Sequence, residues 1–236
     1  MHLAAIIAAG GIGSRMGTGS SKQLMALAGR PVLAHSVEIF EGAGEVEEIV
    51  IVIDAADVER CRAEIVEAYG YAKVRSVTGG GAHRSASVSN GLSELGRGID
   101  TVLVHDGARP LFPIELLEDG LMDLSSCDCD GIVFGLPVTD TVKEVEAGGR
   151  AVESTLDRSR LWAAQTPQIF KREILEEAYR VPDDILARAT DDASLVERAG
   201  GRVMMTEGSP ENIKITRPED IIVAEEILRR RENLSE

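Results

Sequence analysis

Leu3 to Ala9 is an unbroken apolar run that stops at Gly10-Gly11-Ile12-Gly13, a pattern that predicts a buried strand feeding a glycine loop. Pro31 stands where a helix can begin without losing a hydrogen bond, and Leu33, Val37 and Phe40 then fall on one helical face. Ile49 to Ile53 predicts a second buried strand. Behind Asp57, a candidate cap, Val58, Cys61, Ile65 and Ala68 return to helical spacing. A strand near Val74 to Val77 runs into Gly79-Gly80-Gly81, and Val88, Leu92 and Leu95 mark the next helix.

The alternation continues. Thr101 to Val104 predicts a strand ending in His105-Asp106-Gly107-Ala108-Arg109, and Pro113 precedes a helix with Ile114, Leu117, Leu121 and Leu124 inward. Ile132 to Leu136 and Arg202 to Thr206 complete the predicted sheet, and Thr216-Arg217-Pro218-Glu219 reads as a capping box opening a last helix. Strands alternating with helices imply an α/β fold, Rossmann-like, with a mostly parallel sheet and helices on both faces. No internal repeat or low-complexity linker divides residues 1–236, so one domain is expected.

One stretch breaks the pattern. Val142 to Glu146 and Arg150 to Ser154 alternate polar and apolar around Ala147-Gly148-Gly149, the signature of a hairpin. Its faces are too polar for a core, and a lone hairpin is marginal in water. The expectation is an arm at about 139–158 that leans on another subunit; a solvent-exposed flap is the alternative.

Composition narrows the partners. A formal net charge of −15 disfavours nucleic acid and anionic membranes. With 3% aromatics, the core has to come from Ala, Val, Ile and Leu, which suits helices on a parallel sheet. No apolar run approaches the ~20 residues that span a bilayer, and no basic leader precedes the first strand. Cys61, Cys127 and Cys129 are an odd set, expected as free thiols in a reducing compartment, so a cytoplasmic location is expected.

Candidate chemistry gathers at predicted strand ends, where open α/β sheets bind ligands. Glycines at 10, 11 and 13 let backbone N–H groups approach a phosphate chain, and Arg15 and Lys22 follow closely enough to add charge-assisted contacts. The loop lacks the third glycine of a dinucleotide fingerprint and the Gly-Lys-Ser/Thr of a Walker loop, so a nucleotide site of another kind is indicated. Asp106 at a strand end is either a hard-oxygen ligand for Mg²⁺ or a cap for the next element. No Ser-His-Asp or Cys-His set stands out, and His105 is expected to be a packing residue rather than a base.

An ordered series of motifs then runs almost end to end. Its members are Ala9 to Met16, Lys22-Gln23, Val104 to Pro110, Pro137 to Thr141, Asp157-Arg158, Gln165-Thr166-Pro167-Gln168, Thr190-Asp191 and Asn212 to Thr216. In this series the chain resembles the 2-C-methyl-D-erythritol 4-phosphate cytidylyltransferase family, which joins CTP to that phosphate with release of pyrophosphate. The resemblance implies a nucleotidyltransferase domain with Arg15 and Lys22 on the α-phosphate in the transition state, and Arg158 and Lys214 positioning the attacking phosphate. It implies Ala8, Ala9, Gly10, Gly11, Gly80, Gly81 and Ser87 around the nucleotide, Asp106 on Mg²⁺, and Arg109, Thr141 and Thr190 in the substrate pocket. It also implies a homodimer in which each arm completes the partner's site.

Four positions stand out against the family pattern, among them Leu24, where an aromatic or longer chain is frequent, and Glu211, where an acidic or small residue varies. Ser21 replaces a usual proline, and Gly107 a usual alanine or serine; both are expected to loosen site loops and to affect rate rather than reaction type. Three rival readings stand beside this one: transfer to another polyol phosphate such as ribitol 5-phosphate, an NAD(P)-dependent oxidoreductase using Asp54, and a nucleotide-sensing module without turnover.

Overall fold

The computed structural model describes residues 1–10 and 22–235, the side chains of residues 22, 234 and 235 apart. The glycine loop beyond Gly10, with Arg15 and Ser21, and the side chain of Lys22 therefore lie outside the described residues. Seven strands form the central sheet: β1 (Leu3–Ala8), β2 (Val46–Ile53), β3 (Val74–Gly79), β4 (Thr101–Asp106), β5 (Gly131–Pro137), β6 (Trp162–Lys171) and β7 (Val203–Glu207). Their order across the sheet is β7-β5-β6-β4-β1-β2-β3. β6 runs antiparallel to both neighbours and the remaining pairs are parallel, so the expected mostly parallel α/β fold is borne out.

Alternation along β1 explains its unbroken apolar run. Leu3, Ala5 and Ile7 join one core with Leu33, Phe40 and Leu117, while Ala4 and Ile6 join the other with Val88, Leu92 and Val104. A strand buried on both faces has no side to leave polar. The first core lies under α1 (Val32–Gly42), α2 (Val58–Cys61, continued as a π-helical segment Arg62–Glu67) and α4 (Glu115–Ser126). The second lies under α3 (Arg84–Ser93), α5 (Arg172–Ala178) and α7 (Asp192–Arg198). A short helix α6 (Asp183–Leu186) adds Leu186 to that second core. The last helix, α8 (Pro218–Ser235), closes a smaller cluster with Leu27, Val32 and Ile215.

β6 is the element that the sequence pattern hides. Gln165, Thr166, Pro167 and Gln168 look like a loop, yet all four are buried in the sheet. Pro167 is tolerated because the ladder to β5 loses register between Ala164 and Gln168, where a missing N–H costs no bond.

Three local expectations are corrected. Asp57 makes no side-chain cap; Asp54 does, accepting from the Ala56 N–H at 2.9 Å. The last helix is capped by Asp220 rather than Glu219, since Asp220 accepts from the N–H groups of Thr216 and Arg217 and from the Thr216 hydroxyl. Cys127 and Cys129 are bonded to each other, their Cα atoms 5.3 Å apart and within bridging range, which leaves buried Cys61 as the free thiol.

The hairpin forms as expected. Lys143–Val145 pairs with Val152–Thr155 as a separate two-stranded sheet, and Gly148 supplies the positive φ of its turn. No helix among the described residues is long and apolar enough to cross a membrane.

Candidate active site

β1 is flanked by β2 on one side and β4 on the other, so the chain reverses its direction of travel across the sheet at β1. Connections leaving the carboxyl ends of β1 and β4 diverge at such a point and open a crevice. A cavity of about 510 Å³ lies there. Ala8, Gly10, Gly80, Gly81 and Ser87 line one part of it, and Arg84, Asp106 and Lys214 another.

Close approach dictates the glycines. A Cβ on Gly80 would stand 2.8 Å from the Ser87 hydroxyl, and one on Gly81 would stand 2.5 Å from the Ala86 methyl. The loop can press against the start of α3 only without side chains there. Ser87 Oγ accepts from the Gly81 N–H at 3.1 Å and donates to the His83 carbonyl, tying loop to helix.

Asp106, the last residue of β4, is buried and sits among three cations. Its Oδ1 accepts from Arg84 Nε at 3.2 Å, its Oδ2 lies 2.7 Å from Lys214 Nζ, and Arg109 Nε is 3.8 Å from Oδ2. Burial alone pushes its carboxyl pKa up, but Arg84, Lys214 and Arg109 together outweigh burial and hold it well below the usual carboxylate range. The group is a fixed negative charge in a positive surround.

His105 is the packing residue expected. It is fully buried; its Nε2 lies 2.9 Å from the Arg109 carbonyl, which can only accept, so Nε2 carries the proton. Nδ1 then faces the Thr166 hydroxyl at 3.3 Å. Burial lowers its pKa to about 4, so it is neutral and already committed on both nitrogens.

The other motifs build the wall behind this centre. Thr166 Oγ1 accepts from the Asp106 N–H, and Asn212 Nδ2 donates to the Thr166 carbonyl and to Gln165 Oε1. Arg109 Nη1 donates to the Asn212 carbonyl at 2.7 Å. The Nδ2 and carbonyl of Asn212 are thereby spent on structure, while its buried Oδ1 has no hydrogen-bond partner among the described residues. Gln168 donates to Asp191, which caps α7 through the Ser194 N–H. At Gly107 the turn is tied on both sides: its N–H donates to the Ala8 carbonyl, and its carbonyl accepts from Ser36.

Not every expected residue gathers here. Ala9 is buried beneath the cavity, bonded to the Val52 carbonyl, and Arg109 stands behind Asp106. Thr141, Arg158 and Thr190 are exposed and line no part of the cavity; Arg158 donates to the Thr139 carbonyl at the base of the arm. Conversely, Arg84 and its second partner Asp192 escape a sequence reading. The signal for Arg84 was its place just behind the triple glycine, but nothing local points to Asp192.

Residues 3–230 match the family model for 2-C-methyl-D-erythritol 4-phosphate cytidylyltransferase. The chain belongs to that family. It is a nucleotidyltransferase. A protein of that name from Alkaliphilus metalliredigens is 41% identical over 228 residues, covering 97% of this chain and 93% of the relative. One from Syntrophotalea carbinolica is 42% identical over 230 residues, covering 97% of each. Among solved structures, the 4-diphosphocytidyl-2C-methyl-D-erythritol synthase of Anaerococcus prevotii superposes with a TM-score of 0.81 at 30% identity, covering 97% of this chain and 96% of that one. The cytidylyltransferase of Francisella tularensis gives 0.80 at 29%, covering 95% and 98%.

Proposed function

We propose that this chain transfers a cytidylyl group from CTP to 2-C-methyl-D-erythritol 4-phosphate, releasing pyrophosphate and forming 4-diphosphocytidyl-2-C-methyl-D-erythritol. The observation that carries the site assignment is the buried carboxylate of Asp106, ringed by Arg84, Arg109 and Lys214 beside a glycine-walled cavity. That cavity takes the nucleotide, with Ala8, Ala9, Gly10, Gly11, Gly80, Gly81 and Ser87 as the nucleotide-binding residues.

A phosphate-monoester oxygen of the second substrate attacks the α-phosphorus in line. A P–O bond forms there as the bond to the β-phosphate bridging oxygen breaks, and pyrophosphate carries away the electron pair. The attacking oxygen is already anionic at neutral pH, since a second phosphate pKa is ~6, so no base is needed. His105, neutral and doubly bonded, is not asked to supply one.

The barrier is repulsion between anions, so the chain's own work is neutralisation and alignment. Arg15 and Lys22 meet charge as it builds on the α-phosphate. Lys214 and Arg158 hold the attacking phosphate, with Arg109, Thr141 and Thr190 completing its pocket. Asp106 is the side chain that would hold a divalent cation, a hard-oxygen donor of the kind Mg²⁺ prefers. No cluster of three or more acidic, His or Cys side chains that could hold a metal occurs among the described residues. When bound, such a cation neutralises triphosphate charge.

The exposed position of Arg158 and Thr141, at the base of a hairpin carrying exposed Val145 and Val152, supports a homodimer with exchanged arms. In that assembly each arm brings these residues to the partner's cavity. The whole chain acts as a single nucleotidyltransferase domain in the cytoplasm, with no nucleic-acid or membrane partner.

A pyrophosphate-release assay tests this reading by crossing CTP, UTP, ATP and GTP with 2-C-methyl-D-erythritol 4-phosphate and ribitol 5-phosphate. Turnover is expected with CTP and methylerythritol phosphate. A preference for ribitol phosphate, or for another nucleotide, would refute it.

A further inference from the structure

Arg84 opens α3 at the cavity wall and Asp192 opens α7, 108 residues later. Arg84 spans two carboxylates: Nε donates to Asp106, and Nη2 donates to Asp192 at 2.8 Å. Asp192 is fully buried, and its other oxygen accepts from the Tyr179 hydroxyl. Neither Asp192 nor Tyr179 lines the cavity.

Stability alone does not account for this arrangement. Buried ion pairs contribute little net stability over well-packed apolar groups, because desolvation offsets the attraction. The cluster also leaves Arg84 Nη1 buried without a hydrogen-bond partner among the described residues, a cost that an apolar replacement would avoid. What Asp192 does provide is a second claim on the guanidinium. Arg84 is planar and charged at every accessible pH, so its charge is divided between the two carboxylates rather than concentrated on Asp106.

We infer that Asp192, steadied by Tyr179, is a positioning residue for the nucleotide site: it holds Arg84 off full engagement with Asp106 and keeps that carboxylate available to the metal–nucleotide complex. The inference rests on the reading of the cavity as the CTP site. Without the charge of Asp192, the guanidinium, already bonded to Oδ1 through Nε, turns its remaining donors to Asp106 and cancels more of its charge. Outer partners of this kind typically change metal affinity by about 10- to 100-fold when removed.

The test is calorimetric titration of the full-length protein with CTP, with and without Mg²⁺ and with no second substrate present. In Asp192→Asn with a native circular dichroism spectrum, the Kd for Mg·CTP is expected to rise about tenfold or more. The Kd for metal-free CTP is expected to stay within about twofold, because the base and ribose contacts are untouched. An unchanged Kd for Mg·CTP, or equal losses with and without metal, would overturn the inference, since equal losses denote a distorted pocket. Should Asp192→Asn not fold, Tyr179→Phe is read in the same way. It removes one bond to Asp192, so a rise of about threefold confined to Mg·CTP is expected and an unchanged value overturns the inference. Wild-type protein that binds no CTP would instead defeat the nucleotide reading itself.

Discussion

The Lys214 ammonium sits 2.7 Å from the carboxylate of Asp106, although a large share of the chain separates the two residues. Lys214 lies in the loop after β7 and Asp106 ends β4, so a contact between them exists only once the sheet has closed. The pair places a partly exposed cation beside a buried anion in the cavity proposed to receive two phosphorylated reactants.

Lys214→Ala is therefore expected to raise KM for both substrates by on the order of tenfold, because it removes a phosphate-binding cation and also alters the surround of Asp106. Arg158→Ala should raise KM for the polyol phosphate alone. Steady-state kinetics with each substrate varied in turn separates the two. An Arg158→Ala effect seen only in KM for CTP would contradict its placement.

Arg15→Ala and Lys22→Ala should each lower kcat by on the order of 10²-fold, with little change in KM for the polyol phosphate, because a cation that meets developing charge acts mainly in the transition state. A near-normal kcat in either variant would remove that residue from the mechanism.

The buried His105 makes stability depend on pH. Its folded pKa of about 4 lies below the 6.5 of an exposed imidazole, so the unfolded chain takes up a proton between those values and the folded chain does not. Its contribution is fully present above pH 6.5 and is lost as the pH falls from there towards 4, by on the order of 3 kcal/mol in all. Asp106 acts in the same sense at lower pH: its depressed pKa adds stability above the ordinary carboxylate range that is lost on further acidification. Urea melts from pH 7 to pH 4 should show the loss, and His105→Gln should flatten it. An equal slope in that variant would remove His105 as the cause.

The arm offers a test of assembly. Val145 and Val152 pair across the hairpin and are 44% and 58% exposed, which is costly for apolar side chains unless something covers them. Val145→Asp with Val152→Asp is expected to yield monomers in sedimentation velocity, with activity reduced at least about tenfold if the arm completes a partner's site. A monomeric wild type, or a fully active monomeric variant, would exclude exchange of arms.

Much of the scaffold was legible residue by residue. The two-sided burial of Leu3 to Ala8 and the helical spacing of Leu33, Val37 and Phe40 are local periodicities, and backbone geometry turns those directly into a strand and a helix. The hairpin at Lys143–Thr155 was legible for the same reason. Strand β6 was not, because Gln165, Thr166 and Gln168 become acceptable in a sheet through partners such as Ser209, Asp106 and Asp191, none of which is near in sequence. The caps show the same limit on a smaller scale: Asp54 and Asp220, not Asp57 and Glu219, point at free N–H groups.

Residue types alone pointed to a phosphate-handling site, since polyanions call for cations and closely approaching N–H groups, and the ordered motifs carried the resemblance that implied the reaction. The pairing of those groups was decided by folding. The Asp106 carboxylate meets Arg84, Arg109 and Lys214 at 2.7 to 3.8 Å, and charge interactions at that range depend on packing that no stretch of chain specifies alone. Asp192 is the clearest case. In the sequence it is one of two adjacent aspartates; in the fold it is a buried charge whose side-chain partners among the described residues are Arg84 and Tyr179.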